Sequence, residues 1–395
     1  MRRSYKFRIY PNKNQTKSLE KTFAFCRFLY NSALEERISF HKKYDESLSY
    51  ETQCDALPEI KEVFSDQTDR IYSQTLQQVL KQLDTSFKNF FGGLKKKAKK
   101  VGFPRFKNAD RFRSILFPQS DLNSFGVKRL KNNKVRIYGL PGEVKVVWHR
   151  EIQGKCKTVR ILKQSDKYFL IASCDKVPEN RLPKTGKTIA LDLGLNSFIT
   201  DNEGNRILHP KPYKTAKEKL AYLNRKLALK KRGSNNRKKA KQSLARAYEK
   251  ISNIRDDFQH KLANKIIAEN DTIIIEDLNI QKMMENKPKG KEKFQVKKEN
   301  ITDASWGSFA AKLVYKAESA GRQVLEVNPM NTSKTCSRCE HIKNEQTLGD
   351  REYKCEACGL ELDRDHNAAL NIYRLGMSLA AGENPPQKPQ CFSLG

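Results

Sequence analysis

The spacing of apolar residues divides the first half of the chain into a helical part and a β-rich part. Alternation over residues 5–10 predicts a short strand, and apolar residues every three or four positions predict helices over about 15–44 and 69–91. Gly92-Gly93 is expected to end the second helix. Several short strands separated by turn-forming residues then predict a small barrel or sandwich, which the first strand is expected to join. These strands are predicted at 113–118, 133–138, 143–150, 156–163 and 167–175.

The pattern changes near Pro183, where longer apolar runs and long helices replace the short strands. A succession of strand, hairpin, helix, strand, helix and strand predicts an α/β domain with a mixed sheet. The predicted elements are a strand at 188–193, a hairpin turn at 201–204, two helices over 213–269 joined at 233–236, a strand at 272–278, a helix at 306–319 and a strand at 323–327.

The amino-acid composition indicates that the protein binds a polyanionic partner. The chain has 395 residues, enough for two to four domains, and its 77 Lys and Arg against 45 Asp and Glu give a net charge of +32. So large an excess repels itself in a compact protein, which favours nucleic acid as the partner. We find no long apolar segment, no aromatic-rich amphipathic anchor and no apolar stretch after the basic start. The expected location is cytoplasmic, at the nucleoid in a prokaryote, with no membrane partner.

Two acidic residues occur in apolar strands, where an isolated carboxylate is costly to bury unless a cation compensates its charge. Asp192 follows Ile189-Ala190-Leu191, and Glu276 follows Ile273-Ile274-Ile275. Taken singly, each could equally cap a strand end or pair with a basic side chain. A third acid, Asp365, changes this interpretation.

Asp365 opens the last predicted helix and shares a face with Ala368, Ala369 and Ile372. Small alanines let a helix pack closely on a sheet, so Asp365 is expected beside the two strand ends. Asp363 precedes the helix and is predicted to be its N-cap. Three acids that converge in this way suit two divalent cations that activate a water and stabilise the leaving oxygen of a phosphodiester. Hard oxygen ligands and phosphate favour Mg²⁺.

Four of the nine cysteines form two close pairs, with the spacing C-x₂-C, fifteen residues, C-x₂-C. Two such pairs predict a closed, tetrahedral and therefore structural Zn²⁺ site, although free thiols in a loop would share the spacing. The predicted ligands are Cys336, Cys339, Cys355 and Cys358. The other cysteines, at positions 26, 54, 156, 174 and 391, are interpreted as ordinary thiols.

Two clusters of basic residues are candidate nucleic-acid contacts. Residues 214–250 contain fourteen Lys or Arg and two acids, an imbalance that a merely solvated helical hairpin does not need. The second cluster is interleaved with Phe103 and Phe106, which could stack on bases or pack in the core. The candidates are Lys95, Lys96, Lys97, Lys99, Lys100, Arg105 and Lys107, and Arg225, Lys226, Lys230, Lys231, Arg232, Arg237, Lys238 and Lys239.

The sequences around the three acids resemble the three RuvC motifs of the TnpB family, transposon-encoded relatives of type V CRISPR effectors. The motifs are DLGLN at Asp192, IIIEDLN at Glu276 and DRDHNAALN at Asp365, in matching order and separation. The resemblance covers nearly the whole chain, including YKFRIYPNKNQ and FCRFLYN. The choice of Glu276 over its neighbour Asp277 rests on this resemblance.

The resemblance implies a multidomain fold with α/β, α and β parts. It implies an RNase H-like (RuvC) nuclease domain interrupted by a zinc ribbon, a small β-barrel wedge domain and a helical recognition insertion. The expected boundaries are 1–10 and 101–182 for the wedge domain, 11–100 for the recognition domain, 183–330 and 364–381 for the nuclease domain, 331–363 for the zinc ribbon and 382–395 for a flexible tail.

The resemblance also implies a function: a monomeric protein that carries a guide RNA from the transposon end. Such a protein cuts double-stranded DNA beside a short flanking motif with one Mg²⁺-dependent RuvC site, while base pairing supplies sequence specificity. Two alternatives remain open. One is an RNA-guided repressor without cleavage, against which the three intact acids weigh. The other is an unguided structure-specific nuclease or transposase, which would need no bound RNA.

Overall fold

The computed structural model describes residues 1–97, 101–123, 125–285, 299–343 and 350–382. The chain forms two compact units, Met1–Pro178 and Glu179–Gly395, which together make a multidomain protein of mixed α and β structure. None of the helices in the described ranges combines the length and apolar character that a membrane crossing needs. Most of the predicted tail, residues 383–395, lies outside the described residues.

The helices of the first unit begin with a capping box at Asn12. The Asn12 side chain accepts from the backbone N–H of Gln15, and the Gln15 side chain accepts from the backbone N–H of Asn12, both at 2.9 Å. The Gln15 amide also donates to the carbonyls of Pro141 and Glu143, which ties the helix start to a turn segment far along the chain. The helices are α1 (Lys13–Tyr44), α2 (Tyr50–Asp55), α3 (Leu57–Val63), α4 (Ser65–Thr68) and α5 (Ser73–Lys95).

The predicted end of the second long helix at Gly92-Gly93 is wrong, because α5 continues to Lys95. A Cβ atom at Gly93 would lie 3.1 Å from the Val101 side chain. This glycine therefore permits a close approach by the segment that follows the helix, instead of ending the helix. The short helices α2 to α4 were not predicted.

A seven-stranded antiparallel sheet completes the first unit, in the order β2-β6-β7-β1-β5-β4-β3. The first strand thus lies in its middle, paired with β7 on one side and β5 on the other. Its residues Tyr5, Phe7 and Ile9 are buried, while the intervening residues are more exposed. The strands are β1 (Arg3–Tyr10), β2 (Ser114–Pro118), β3 (Val127–Leu130), β4 (Lys134–Ile137), β5 (Val144–Val147), β6 (Lys155–Gln164) and β7 (Lys167–Asp175).

The second unit is built on a five-stranded mixed sheet in the order β10-β9-β8-β11-β12. Strands β8, β11 and β12 are parallel, and β9 and β10 form an antiparallel extension. The α/β prediction for this region is confirmed. The elements are β8 (Thr188–Asp192), β9 (Ser197–Asp201), β10 (Arg206–Leu208), α6 (Pro212–Ala228), α7 (Asn235–Glu269), β11 (Thr272–Glu276), α8 (Ile280–Glu285), α9 (Trp306–Ala320), β12 (Gln323–Val327), β13 (Glu352–Lys354), β14 (Glu361–Asp363) and α10 (Arg364–Ala380).

Candidate active site and metal centre

Two of the predicted carboxylates occupy the ends of neighbouring parallel strands. In the register of β8 and β11, Leu191 lies opposite Ile275, so Asp192 and Glu276, the last residues of the two strands, lie at the same edge of the sheet. Glu276 is buried, whereas the adjacent Asp277 is exposed. Of these two neighbouring acids, Glu276 is therefore the one enclosed by the protein.

Helix α10 brings the third carboxylate to this edge. Ala368 and Ala369 are fully buried where the helix packs on the sheet. A Cβ atom built at Gly194, two residues after Asp192, would lie 4.0 Å from Oδ2 of Asp365. The helix thus holds Asp365 beside the end of β8.

The start and the packing of α10 each depend on one residue. Asp363 accepts hydrogen bonds from the backbone N–H groups of Asp365 and His366, both at 3.1 Å, so the predicted N-cap is confirmed. Further along, a Cβ atom at Gly376 would lie 2.4 Å from the Ile274 side chain. Only a glycine lets the helix lie so close to β11, a role that the sequence pattern did not indicate.

Two of the three carboxylates, Asp192 and Glu276, have raised pKa values. Burial holds the pKa of Asp192 well above its ordinary value, and the charges of Glu276 and Asp365 raise it further, against the opposing Arg364. Burial also raises the pKa of Glu276, while a 2.5 Å hydrogen bond from the Thr332 hydroxyl lowers it. Protein groups therefore do not fully neutralise the negative charge at this edge of the sheet. A bound cation would neutralise it.

The donor atoms fit hard divalent cations, since all three residues offer carboxylate oxygens. Within the described ranges, three or more possible ligand atoms lie within 4.8 Å of one another only in the cysteine cluster, so the three carboxylates are more widely spaced. The guanidinium of Arg364, 3.4 Å from Oδ1 of Asp365, is a further charged group at this edge that the sequence analysis did not single out.

The four predicted zinc ligands come together at the tips of two loops. Their sulfur atoms all lie within 4.8 Å of one another, with Cys336 and Cys358 at 3.6 Å and Cys339 and Cys355 at 3.5 Å. Four thiolates at about 2.3 Å around one zinc ion would be about 3.8 Å apart. The spacing and the soft sulfur donors fit a zinc site.

The two cysteine loops share one backbone pattern. Cys336 donates its N–H to the carbonyl of His341 and Cys355 donates to that of Leu360, both at 2.9 Å. In each loop the residue four positions after the first cysteine, Glu340 or Gly359, has a positive φ and donates back to that cysteine. The pattern explains the glycine in the second loop, because the left-handed region costs a glycine nothing.

The thiols of the cluster also interact electrostatically. Burial raises the pKa of Cys355, but hydrogen bonds from the N–H groups of Cys358 and Ala357 and from neighbouring thiols outweigh it and bring the value to about 6. The lowered pKa favours the thiolate of Cys355, and the thiolate is the form that binds metal.

The α6–α7 hairpin carries the larger basic cluster. Ser234 caps α7 by accepting from the N–H of Arg237, as the predicted junction at 233–236 requires. The Arg237 guanidinium donates to the carbonyls of Leu227 and Lys230 at 2.9 and 2.8 Å and so closes the end of α6. Lys230 is half-buried. The exposed members, here called the hairpin cations, are Arg225, Lys226, Lys231, Arg232, Lys238 and Lys239.

The smaller basic cluster is split between exposed and packed residues. Lys95, Lys96, Lys97 and Arg105 are exposed. The Lys107 ammonium lies 3.8 Å from the centre of the Tyr30 ring, and burial lowers the pKa of Lys107 to about 8. Lys99 and Lys100 lie outside the described residues.

The two phenylalanines interleaved with this cluster remain about half exposed. Phe103 packs edge-on against Phe87 and Phe90 of α5, with ring centres 5.5 and 5.2 Å apart. Phe103 is 47% exposed and Phe106 is 49% exposed. Phe103 is thus anchored on a helix and still presents one side to solvent.

Three family profiles match successive parts of the chain. A helix-turn-helix profile matches residues 1–46, a profile described as "Probable transposase" (OrfB of IS605) matches 172–287, and a Cas12f1-like TNB domain matches 306–372. The CRISPR-associated endodeoxyribonuclease Cas12f1 of Sulfoacidibacillus thermotolerans is 28% identical over 53% of this chain and 50% of its own length. Among solved structures, CasPhi-2 (Cas12j) bound to crRNA aligns at a TM-score of 0.46 with 11% identity, covering 98% of this chain and 99% of that one.

Two relatives align with almost the whole chain, and both carry the name "Putative RNA-guided DNA endonuclease". The protein from Escherichia coli K12, InsQ, is 29% identical over 96% of this chain and 94% of its own length. The protein from Streptomyces pristinaespiralis is 30% identical over 96% of this chain and 91% of its own length. Identity at this level along nearly the entire length of both proteins means that the chain belongs to the TnpB family of IS605-type transposon proteins.

Proposed function

We propose that this protein is an RNA-guided endonuclease that cuts both strands of DNA beside a short flanking motif. The observation that carries the proposal is the convergence of Asp192, Glu276 and Asp365 at one sheet edge, where burial and the charges of the other two acids raise the pKa of Asp192. The names of the near full-length relatives support the same activity.

The three carboxylates would hold two Mg²⁺ ions, which when bound supply the activated water and the charge stabilisation that phosphodiester hydrolysis needs. The chain's own contribution is positioning. Strands β8 and β11 present Asp192 and Glu276, and the N-capped start of α10 presents Asp365. The Arg364 guanidinium stands beside them, where it can attract a phosphate group.

The domain assignment follows the family resemblance. The RuvC nuclease domain comprises 183–330 and 364–381, the zinc ribbon 331–363, the recognition domain 11–100, and the wedge domain 1–10 with 101–182. The ribbon would hold one structural Zn²⁺, since four thiolates leave no open coordination position. The hairpin cations would contact phosphates without reading bases.

A guide RNA accounts for a charge excess greater than a small nuclease needs for one DNA duplex. Many phosphate contacts give an affinity that falls steeply with salt, and a permanently bound RNA would neutralise much of the +32 before DNA arrives. Base pairing would then select the target, while the protein recognises the flanking motif and the shape of the heteroduplex.

The metal site is tested by Asp192→Ala, Glu276→Ala and Asp365→Ala. Each variant should lose Mg²⁺-dependent cleavage and keep most of its nucleic-acid binding. Asp363→Ala is the matched control in the same motif, because it removes an N-cap worth about 1 kcal/mol without removing a ligand. Full cleavage by Asp365→Ala would refute the assignment.

The guide is tested by expressing the protein with its native flanking DNA and sequencing the RNA that copurifies. The variable end of that RNA is then replaced, and plasmids that match the old or the new sequence are offered with the same flanking motif. Cutting should follow the new sequence. Cutting that ignores the replacement, or that persists after the RNA is removed, would establish an unguided nuclease instead.

A further inference from the structure

The segment that enters the zinc ribbon touches one of the proposed magnesium ligands directly. Thr332, five residues after the end of β12, donates its hydroxyl hydrogen to Oε1 of Glu276 at 2.5 Å. Both side chains are buried, at 5% and 9% exposure, so water does not compete well for this hydrogen bond. The Pro329 carbonyl is a second possible acceptor at 3.2 Å, but a hydroxyl has one hydrogen and the carboxylate is the nearer and charged acceptor.

The same segment is fastened to α10 by two buried asparagines. Asn367 accepts from the backbone N–H of Ser337 at 3.0 Å and donates to the carbonyl of Thr335 at 2.8 Å. Asn371 donates to the carbonyls of Thr332 and Thr335 at 2.9 and 2.7 Å. These amides therefore satisfy backbone groups on both sides of the first zinc-binding cysteine, Cys336.

The hydrogen bonds form a connected path from the ribbon to the carboxylate cluster. At one end is Cys336, and at the other is Glu276. Helix α10, which begins at the third carboxylate, holds the middle of the path through its asparagines. A carboxylate that accepts a fixed hydrogen bond presents its remaining lone pairs in one orientation, as outer-shell partners of metal ligands commonly ensure.

We propose that Thr332 is a positioning residue for cation binding, and that the base of the zinc ribbon, held by Asn367 and Asn371, fixes its hydroxyl against Glu276. This inference rests on the proposed function, in which Glu276 is a Mg²⁺ ligand. It assigns the zinc ribbon a role in orienting Glu276 at the hydrolytic site. The ribbon would do so through the Thr332 hydrogen bond, in addition to binding zinc through its four cysteines.

The experiment measures binding of Mn²⁺, used as a paramagnetic substitute for Mg²⁺, to the full-length protein by electron paramagnetic resonance. Thr332→Val removes the hydroxyl and should weaken binding about 10- to 100-fold, the range for lost outer-shell partners. Thr332→Ser restores the hydroxyl and should recover most of the affinity. Thr335→Val is the matched control, because among the described residues the Thr335 hydroxyl bonds only to the Asn331 carbonyl, which lies in the same segment. All variants should keep the zinc content of the wild type.

If Thr332→Val binds Mn²⁺ with the affinity of the wild type, the inference is overturned. It is also overturned if Thr335→Val loses as much Mn²⁺ affinity as Thr332→Val, because the loss would then come from general loosening of the segment. If the valine variant does not keep its zinc, Thr332→Ala removes the hydroxyl without placing a methyl group against the carboxylate and is judged by the same criteria. Asp192→Ala separates the two proposals. Mn²⁺ binding that survives this substitution refutes the proposed magnesium site itself, whereas binding that Asp192→Ala abolishes and Thr332→Val leaves intact refutes only the role of Thr332.

Discussion

The crowding of three carboxylates at one sheet edge makes a prediction about stability. Asp192→Asn keeps the size of the side chain and removes its charge. In the folded protein without divalent cations, burial and the charges of Glu276 and Asp365 raise the pKa of Asp192 well above its ordinary value. Each unit by which a folded-state pKa exceeds the unfolded value corresponds to about 1.4 kcal/mol. The carboxyl binds its proton more tightly in the folded state, so the free energy of unfolding falls as the pH rises between the two pKa values.

We therefore expect Asp192→Asn to be more stable than the wild type at neutral pH without Mg²⁺. For a domain of about 150–250 residues, each kcal/mol shifts the Tm by roughly 2–4 °C. Saturating Mg²⁺ should reverse the order. A ligand at 100 times its Kd stabilises the protein that binds it by about 2.7 kcal/mol, and the variant should not bind it.

The assay is differential scanning calorimetry of dialysed protein with and without Mg²⁺, repeated at decreasing pH. Without Mg²⁺, the advantage of the variant should shrink as the pH falls, because Asp192 of the wild type becomes protonated. A lower Tm for Asp192→Asn without Mg²⁺, or equal Mg²⁺ shifts in both proteins, would refute the electrostatic account of the site.

Asp363→Asn is the control, because the pKa of Asp363 is shifted in the opposite direction from that of Asp192. Burial raises the pKa of Asp363, but Arg206 and the N–H groups of Asp365 and His366 outweigh it and hold the pKa below its usual value. The stabilisation by this carboxylate is therefore present above its unfolded-state pKa and is lost as the pH falls through the folded-state pKa. The control should lose some stability at neutral pH and keep the full response to Mg²⁺.

Three further predictions concern other parts of the chain. Metal analysis should find one zinc ion per chain in the wild type and in Cys174→Ser and none in Cys358→Ser, and a zinc-free folded wild type would refute the site. Gly376→Ala would place a Cβ 2.4 Å from the Ile274 side chain, so it should lower stability by about 1–3 kcal/mol in denaturant titrations and reduce cleavage; an unchanged midpoint would contradict the close packing of α10. Lys238→Ala should weaken nucleic-acid binding equally for all sequences. It should also reduce the steepness of the dependence of log binding constant on log salt concentration by about 1, and a sequence-dependent loss of affinity would instead indicate base contacts.

Much of this architecture could be predicted from local patterns. Alternation and helical periodicity located most of the long elements, because burial on one face imposes a period of two or about 3.6 residues. The cysteine spacing predicted the sulfur cluster, and the position of Asp363 before a helical run predicted its N-cap. Each of these features depends on residues close together in the chain, or on a spacing that a single loop can satisfy.

Other features depend on residues that are distant in the sequence, and local patterns could not predict them. Strand alternation could not distinguish Glu276 from Asp277, because the choice depends on which face α10 covers. The close approach at Gly376 and the Thr332 hydrogen bond to Glu276 arise only when a helix, a strand and the ribbon meet. Gly92-Gly93 shows the same limit: a pair that resembles a helix end lies within α5, where packing against a later segment outweighs local propensity.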